Sequence, residues 1–194
     1  LTKPPGSLGR LEEIANRCAA IFESLSFAVT RPRIVVFAGD HGVCAEGVNL
    51  FPQAVTAQMV LNFLSHGAAI NCLARAGGIE LKVVDVGVAS PLPGIDALVQ
   101  RRVASGTRNF CVEPAMTEAE TLAAIGVGIE MANQASADGC TLLGFGEMGI
   151  GNTTTASALT AALTGRDAAS VTGRGTGADE ILMARKIGAV ERAL

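Results

Sequence analysis

The segment GFGEMGIGNTTT at 144–155 has the residue types and spacing most suited to chemistry. It follows an apolar run, packs four glycines into eight residues, and leads into an Ala/Leu-rich stretch of helical pattern. A strand, glycine loop and helix start in that order present free backbone N–H groups and the positive end of a helix dipole. An anion can therefore be held there without a basic side chain. Gly146, Gly149 and Gly151 would let the backbone approach it, although a tight turn whose glycines serve backbone geometry alone fits the same pattern. From Gly146 to Gly151 the spacing equals that of a Walker A loop, but Asn152 stands where that loop needs its phosphate-binding lysine. Nucleoside triphosphate hydrolysis is thereby disfavoured.

A second glycine-rich turn, GRGTGADE at 173–180, is followed about two helical turns after Asp179 by Lys186. Either Lys186 or Arg174 could add positive charge to an anion site, and each alone would also pass for a solvated residue. Gly39, Asp40, His41 and Gly42 come directly after an apolar run, where open α/β sheets bring functional side chains to the carboxyl ends of their strands. Asp40 and His41 are therefore site candidates. His66 is the only other histidine, and neither HxH nor HExxH occurs, so His41 is expected to orient substrate or structure rather than ligate metal. There is no GxSxG elbow, and the strand ending in paired acids that marks ordinary phosphoribosyl pyrophosphate sites is missing.

These loops need elements to position them. Apolar runs at 34–37, 81–88 and 141–145 predict strands, and helical patterns predict helices at 8–24, 53–64, 68–76, 117–136, 153–163 and 179–194. The alternation implies a doubly wound, mainly parallel sheet with crossover helices. Thr117 and Glu120 have the spacing of a capping box, and SPLPG at 90–94 reads as a turn.

The chain has 194 residues, 49% hydrophobic, with 15 basic and 18 acidic side chains for a net charge of -3. That is enough for one ordinary core, and no Lys/Arg-rich run exists to follow a nucleic acid. Five cysteines without a CxxC suggest buried thiols rather than a disulfide framework or zinc knuckle. No apolar run reaches the ~18 residues of a membrane span, and the N-terminus lacks a secretory pattern. A cytoplasmic protein with no membrane partner is expected.

Taken together, KPPGSLGRLE at 3–12, AGDHGV at 38–43, GEMGIGNTT at 146–154 and GRGTG at 173–177 resemble the nicotinate-nucleotide:dimethylbenzimidazole phosphoribosyltransferases. The resemblance extends to 51–62, VDVG at 84–87 and GTRN at 106–109, in family order over nearly the whole chain. It implies transfer of phosphoribose from nicotinate mononucleotide to 5,6-dimethylbenzimidazole, giving α-ribazole 5'-phosphate and nicotinate, with no metal or organic cofactor. Gly149, Gly151, Asn152 and Thr153 would hold the 5'-phosphate, with Arg174, Gly175, Thr176 and Lys186 adding contacts. Glu147 would sit beside ribose and base in a positioning role, and Leu50, Gln58 and Met148 would line the benzimidazole pocket. A homodimer is implied, as is a small helical domain to which the segment 1–30 contributes, beside an α/β domain at 31–194. The family's general base is a glutamate in a Glu-Gly-Thr-Gly-Ala type motif that this sequence lacks, so a chain truncated at its C-terminus is expected. Two other readings stay open: a related transferase acting on another lower-ligand base, and a segment that binds the nucleotide without turning it over.

Overall fold

In the computed structural model, which describes residues 2–194, β-branched and apolar residues from Arg33 onward form the first strand, β1 (Arg33–Gly39). Strands β2 (Glu80–Gly87), β3 (Leu98–Gln100) and β4 (Leu143–Met148) complete the sheet. All pairings are parallel and the order is β3-β2-β1-β4. In chain order the helices are α1 (Arg10–Phe22), α2 (Val55–Leu64), α3 (Ala69–Ala76), α4 (Glu118–Ala137), α5 (Asn152–Thr164), α6 (Ala168–Val171) and α7 (Glu180–Ala193). A 3-10 turn spans Gly42–Glu46.

Consecutive residues of β1 bury on opposite faces, as a central parallel strand covered on both sides requires. Val36 and Ala38 pack with Val60 and Phe63 of α2, while Val35 joins Val84 of β2 and Val127 and Met131 of α4. Each fully buried valine contributes roughly 1.5 kcal/mol or more of transfer free energy. The sheet is thus wound on both faces, as the alternation of runs implies.

Helix starts follow local chemistry. The Thr117 hydroxyl accepts from the Glu120 amide at 3.2 Å, and the Glu120 carboxylate accepts from the Thr117 amide at 2.6 Å, which makes the expected capping box of α4. Asp179 caps α7 by accepting from Leu182 N–H at 2.8 Å. Three elements depart from the sequence reading. β4 runs three residues further than expected, so Glu147 and Met148 belong to the strand and not to the glycine loop. β3 was not anticipated because three residues carry no measurable periodicity, and α6 is a single short turn capped by Asp167. The expectation of buried thiols fails: Cys72 is exposed, and Cys18, Cys44, Cys111 and Cys140 are only partly covered. None stands at an inward core position of a strand.

The chain divides into two compact units after Thr30. In the first, Glu12 pairs with Lys3 at 2.5 Å and accepts from the Leu8 amide at 3.0 Å, which knits the KPPGSLGRLE turn to the start of α1. The second, from Arg31 onward, holds the sheet.

Candidate functional site

β1 has β2 on one side and β4 on the other, so the loops leaving β1 and β4 diverge at their carboxyl ends and open a crevice. Open α/β sheets bind ligands at such a switch point. The segment at 39–42 leaves β1 there and the segment at 149–151 leaves β4 there.

On one side lies an open cavity of about 70 Å³ whose lining includes Leu50, Gly149, Gly151, Asn152, Thr153, Arg174, Thr176 and Lys186. Gly151 caps α5 with φ 94°, a left-handed conformation that favours glycine. The N–H groups of Asn152, Thr154 and Thr155 turn back to the carbonyls of Gly149 and Gly151. Those of Gly151 and Thr153 have no acceptor among the described residues, which is what an anion at a helix start requires. Lys186, 2% exposed, donates to the Thr153 hydroxyl at 2.9 Å and the Gly173 carbonyl at 2.8 Å. It therefore ties the two glycine-rich segments together. Desolvation lowers its pKa, and no carboxylate pairs with it among the described residues. An ammonium has three donors, and two are in use.

Gly175 has φ 56°, and a Cβ there would lie 3.1 Å from the Thr153 hydroxyl and 3.2 Å from the Lys186 ammonium. Its bareness lets the second loop close on the first. Arg174 lines the same cavity, but its guanidinium is engaged by Glu180 and by the Ala178 carbonyl. Thus Lys186, rather than Arg174, is the cation without a counter-charge.

Beside this cradle, Glu147, the last residue but one of β4, has one carboxylate oxygen 3.1 Å from His41 Nε2 and the other accepting from the Asn152 side-chain amide. The other ring nitrogen of His41, Nδ1, is 3.0 Å from the Thr155 hydroxyl. Asp40 is 3% exposed; one oxygen accepts from the Ala89 amide at 2.7 Å, and the other has no partner among the described residues. Asp40, His41 and Glu147 share the rim of a largely apolar cavity of about 190 Å³ with Phe37, Val86, Val103 and Met116. No three His, Cys, Asp or Glu side chains among the described residues are grouped to hold a metal ion.

The three residues expected to line a benzimidazole pocket have different surroundings. Leu50 lines the phosphate-side cavity, Met148 packs against the α2-side core, and Gln58 is exposed on α2. Strand parity accounts for part of this, since Met148 and Glu147 are consecutive in β4 and face opposite sides.

Sequence reasoning passed over two contributors. Thr155 orients His41, and Thr107 supports the loop that carries it: its hydroxyl accepts from Gly42 N–H at 3.1 Å, and its own amide donates to the Asp40 carbonyl at 2.9 Å. A Cβ at Gly42 would lie 2.4 Å from the Arg108 carbonyl carbon, so the GTRN segment and the β1 loop need glycine to meet. The spacing of GTRN in the chain held the only available signal for Thr107.

A sheet wound on both faces, with its glycine loops at the switch point, defines the doubly wound α/β class. Within that class the chain belongs to a family described as Phosphoribosyltransferase, whose family model matches residues 1–194. It is 56% identical over its whole length to the nicotinate-nucleotide--dimethylbenzimidazole phosphoribosyltransferase of Chloroflexus aggregans, of which it covers 55%. The protein of the same name from Citrifermentans bemidjiense is 52% identical, again over 100% of this chain and 55% of the relative. Among solved structures it is similar to CobT from Thermus thermophilus, with a TM-score of 0.96 and 52% identity over 100% of this chain and 58% of that one. The chain therefore spans about half the length of the curated relatives it matches.

Proposed function

We propose that this chain holds the 5'-phosphate of nicotinate mononucleotide and serves transfer of its phosphoribose to 5,6-dimethylbenzimidazole, yielding α-ribazole 5'-phosphate and nicotinate. The observation that carries the reading is Lys186: a buried ammonium without a carboxylate, beside two unpaired amides at the start of α5. A bound phosphate supplies the missing counter-charge and accepts from those amides. Gly149, Gly151, Asn152 and Thr153 form the cradle, with Gly175 and Thr176 closing it.

The chemistry suits such a site. Nicotinate leaves from a pyridinium, departing neutral at its ring nitrogen while positive charge builds on the ribose. Fixed negative charge near the ribose lowers that barrier, and Glu147, which lines a neighbouring open cavity with Asn152 and Thr153, supports this reading as the carboxylate that would supply it. A homodimer and a cytoplasmic setting go with this reading through the resemblance. No helix among the described residues is long and apolar enough to cross a membrane.

The different surroundings of Leu50, Gln58 and Met148 favour a second reading, in which the chain binds the nucleotide without turning it over. Chromatography for α-ribazole phosphate after incubation with both substrates separates the two, beside calorimetric titration of nicotinate mononucleotide. Product supports transfer, and binding without product supports the second reading. If the nucleotide fails to bind, both are wrong.

A further inference from the structure

His41 has both ring nitrogens occupied, and the arrangement fixes which one carries a proton toward Glu147. The Thr155 hydroxyl, 3.0 Å from Nδ1, is the group that can either donate or accept, whereas the Glu147 carboxylate, 3.1 Å from Nε2, only accepts when ionised. In the neutral ring Thr155 donates to Nδ1 and Nε2–H donates to Glu147. In the charged ring Thr155 accepts, and Nε2–H still donates to Glu147. The opposite tautomer would set a nitrogen lone pair against a carboxylate.

The other Glu147 oxygen accepts from the Asn152 side chain, so each oxygen has its own donor from a different element. Gly149 is the third part of the device. A Cβ at Gly149 would lie 2.6 Å from the Glu147 carboxylate and 2.7 Å from His41 Nε2, within the space the pair occupies. The His41 side chain is mostly covered, while that of Glu147 is 42% exposed and directed to the open crevice. An anchored imidazole therefore holds a carboxylate that solvent would otherwise let rotate.

We propose that His41, fixed by Thr155, is a positioning residue that aims the Glu147 carboxylate at the ribose and cationic base of the bound nucleotide; this rests on the phosphoribosyl-transfer reading above. His41 touches no reacting atom. It acts by removing the rotational freedom of Glu147, so the negative charge stands where positive charge builds. The phosphate cradle, which shares Gly149 and Asn152 but not the imidazole, binds its anion without it.

The test is calorimetric titration of nicotinate mononucleotide, and separately of inorganic phosphate, into the wild-type chain and into Glu147→Gln, His41→Leu, His41→Gln, Thr155→Val and the Glu147→Gln/His41→Leu pair. Circular dichroism confirms folding of each. Glu147→Gln and His41→Leu should each weaken the nucleotide by about tenfold, the scale of one charge-assisted hydrogen bond. The pair should weaken it no further than either alone, His41→Gln should restore part of the loss by returning an N–H donor, and Thr155→Val should fall between. Phosphate affinity should stay within about twofold throughout, a selectivity that general loosening of the site would not produce. Losses that multiply in the pair, a His41→Leu variant with wild-type nucleotide affinity, or an equal loss for phosphate and nucleotide would each overturn the positioning role. In those cases wild-type binding still stands and only this inference falls. A wild-type chain that binds neither ligand removes the phosphoribosyl-transfer reading and this inference together.

Discussion

Arg33, the first residue of β1, places its guanidinium 2.7 Å from Asp138 at the end of α4 and 2.6 Å from Glu80 at the start of β2. The arginine is 5% exposed while both carboxylates remain partly in solvent. One buried cation thus ties two strands and a helix together at the amino end of the sheet, opposite the site. Arg33→Leu should lower unfolding free energy by about 1–3 kcal/mol, because the fork of donors is lost while the carboxylates recover water. Urea denaturation measures it, and nicotinate mononucleotide affinity should be unchanged. An unaltered midpoint would mean the pair contributes nothing to stability.

At the other end of α4, Glu120 serves both the capping box and Arg108. The Arg108 side chain, with the Thr117 amide, draws its pKa from 4.5 down to about 2. The folded value lies below the unfolded one, so the stabilisation is fully present above pH 4.5 and is lost as pH falls toward 2. The thermal midpoint should decline across that window. Glu120→Gln, which can still cap but cannot ion-pair, should flatten the decline. An equally steep profile in the variant would assign the acid sensitivity to other carboxylates.

Lys186→Met should weaken nicotinate mononucleotide by about 1.5–3 kcal/mol, the loss of a charge-assisted phosphate contact. Stability without ligand should change less. The desolvation that lowers the lysine pKa disappears with the charge, while the Thr153 hydroxyl and Gly173 carbonyl lose a donor. Calorimetry and chemical denaturation of the same variant separate the two effects. Unchanged affinity would remove Lys186 from the site.

Gly149→Ala should be strongly destabilising, by about 2–4 kcal/mol, because backbone must move to admit the methyl group. The added carbon would lie 2.1 Å from the Gly39 carbonyl oxygen at the end of β1. Gly94→Ala, with no atom within 4 Å of the added carbon, is the matched control and should leave the melting midpoint unchanged. The bareness of Gly149 thus serves strand packing, whereas its sequence context alone suggested only a role in ligand approach.

Particular residues show what could be read in advance. β1 was legible because Ile34 to Phe37 bury on both faces and carry no polar interruption, and β2 because its β-branched valines outweigh Lys82 and Asp85. β4 was displaced because Gly146 and Glu147 break its apolar run, and Phe145 on the same strand is 64% exposed. The cradle was legible because its glycines, Thr153 and Lys186 sit in short local patterns with known helix-start chemistry. Thr155 and Thr107 were not, since their partners lie 114 and 65 positions away and the motifs that contain them do not say which side chain each meets. Motif order also did not show that Met148, as a strand residue, packs toward the α2-side core.

The strand order also sets a timetable. β1 is an interior strand of the sheet, yet its β4 edge stays unpaired until more than a hundred further residues exist, and His41 waits 106 positions for Glu147. Contacts of such long sequence separation form slowly and late. During N-to-C synthesis the β1–β2 half of the sheet can assemble first, with one apolar strand edge open to misassociation. The cradle, which also needs Lys186, can close only after both halves of the sheet have been made.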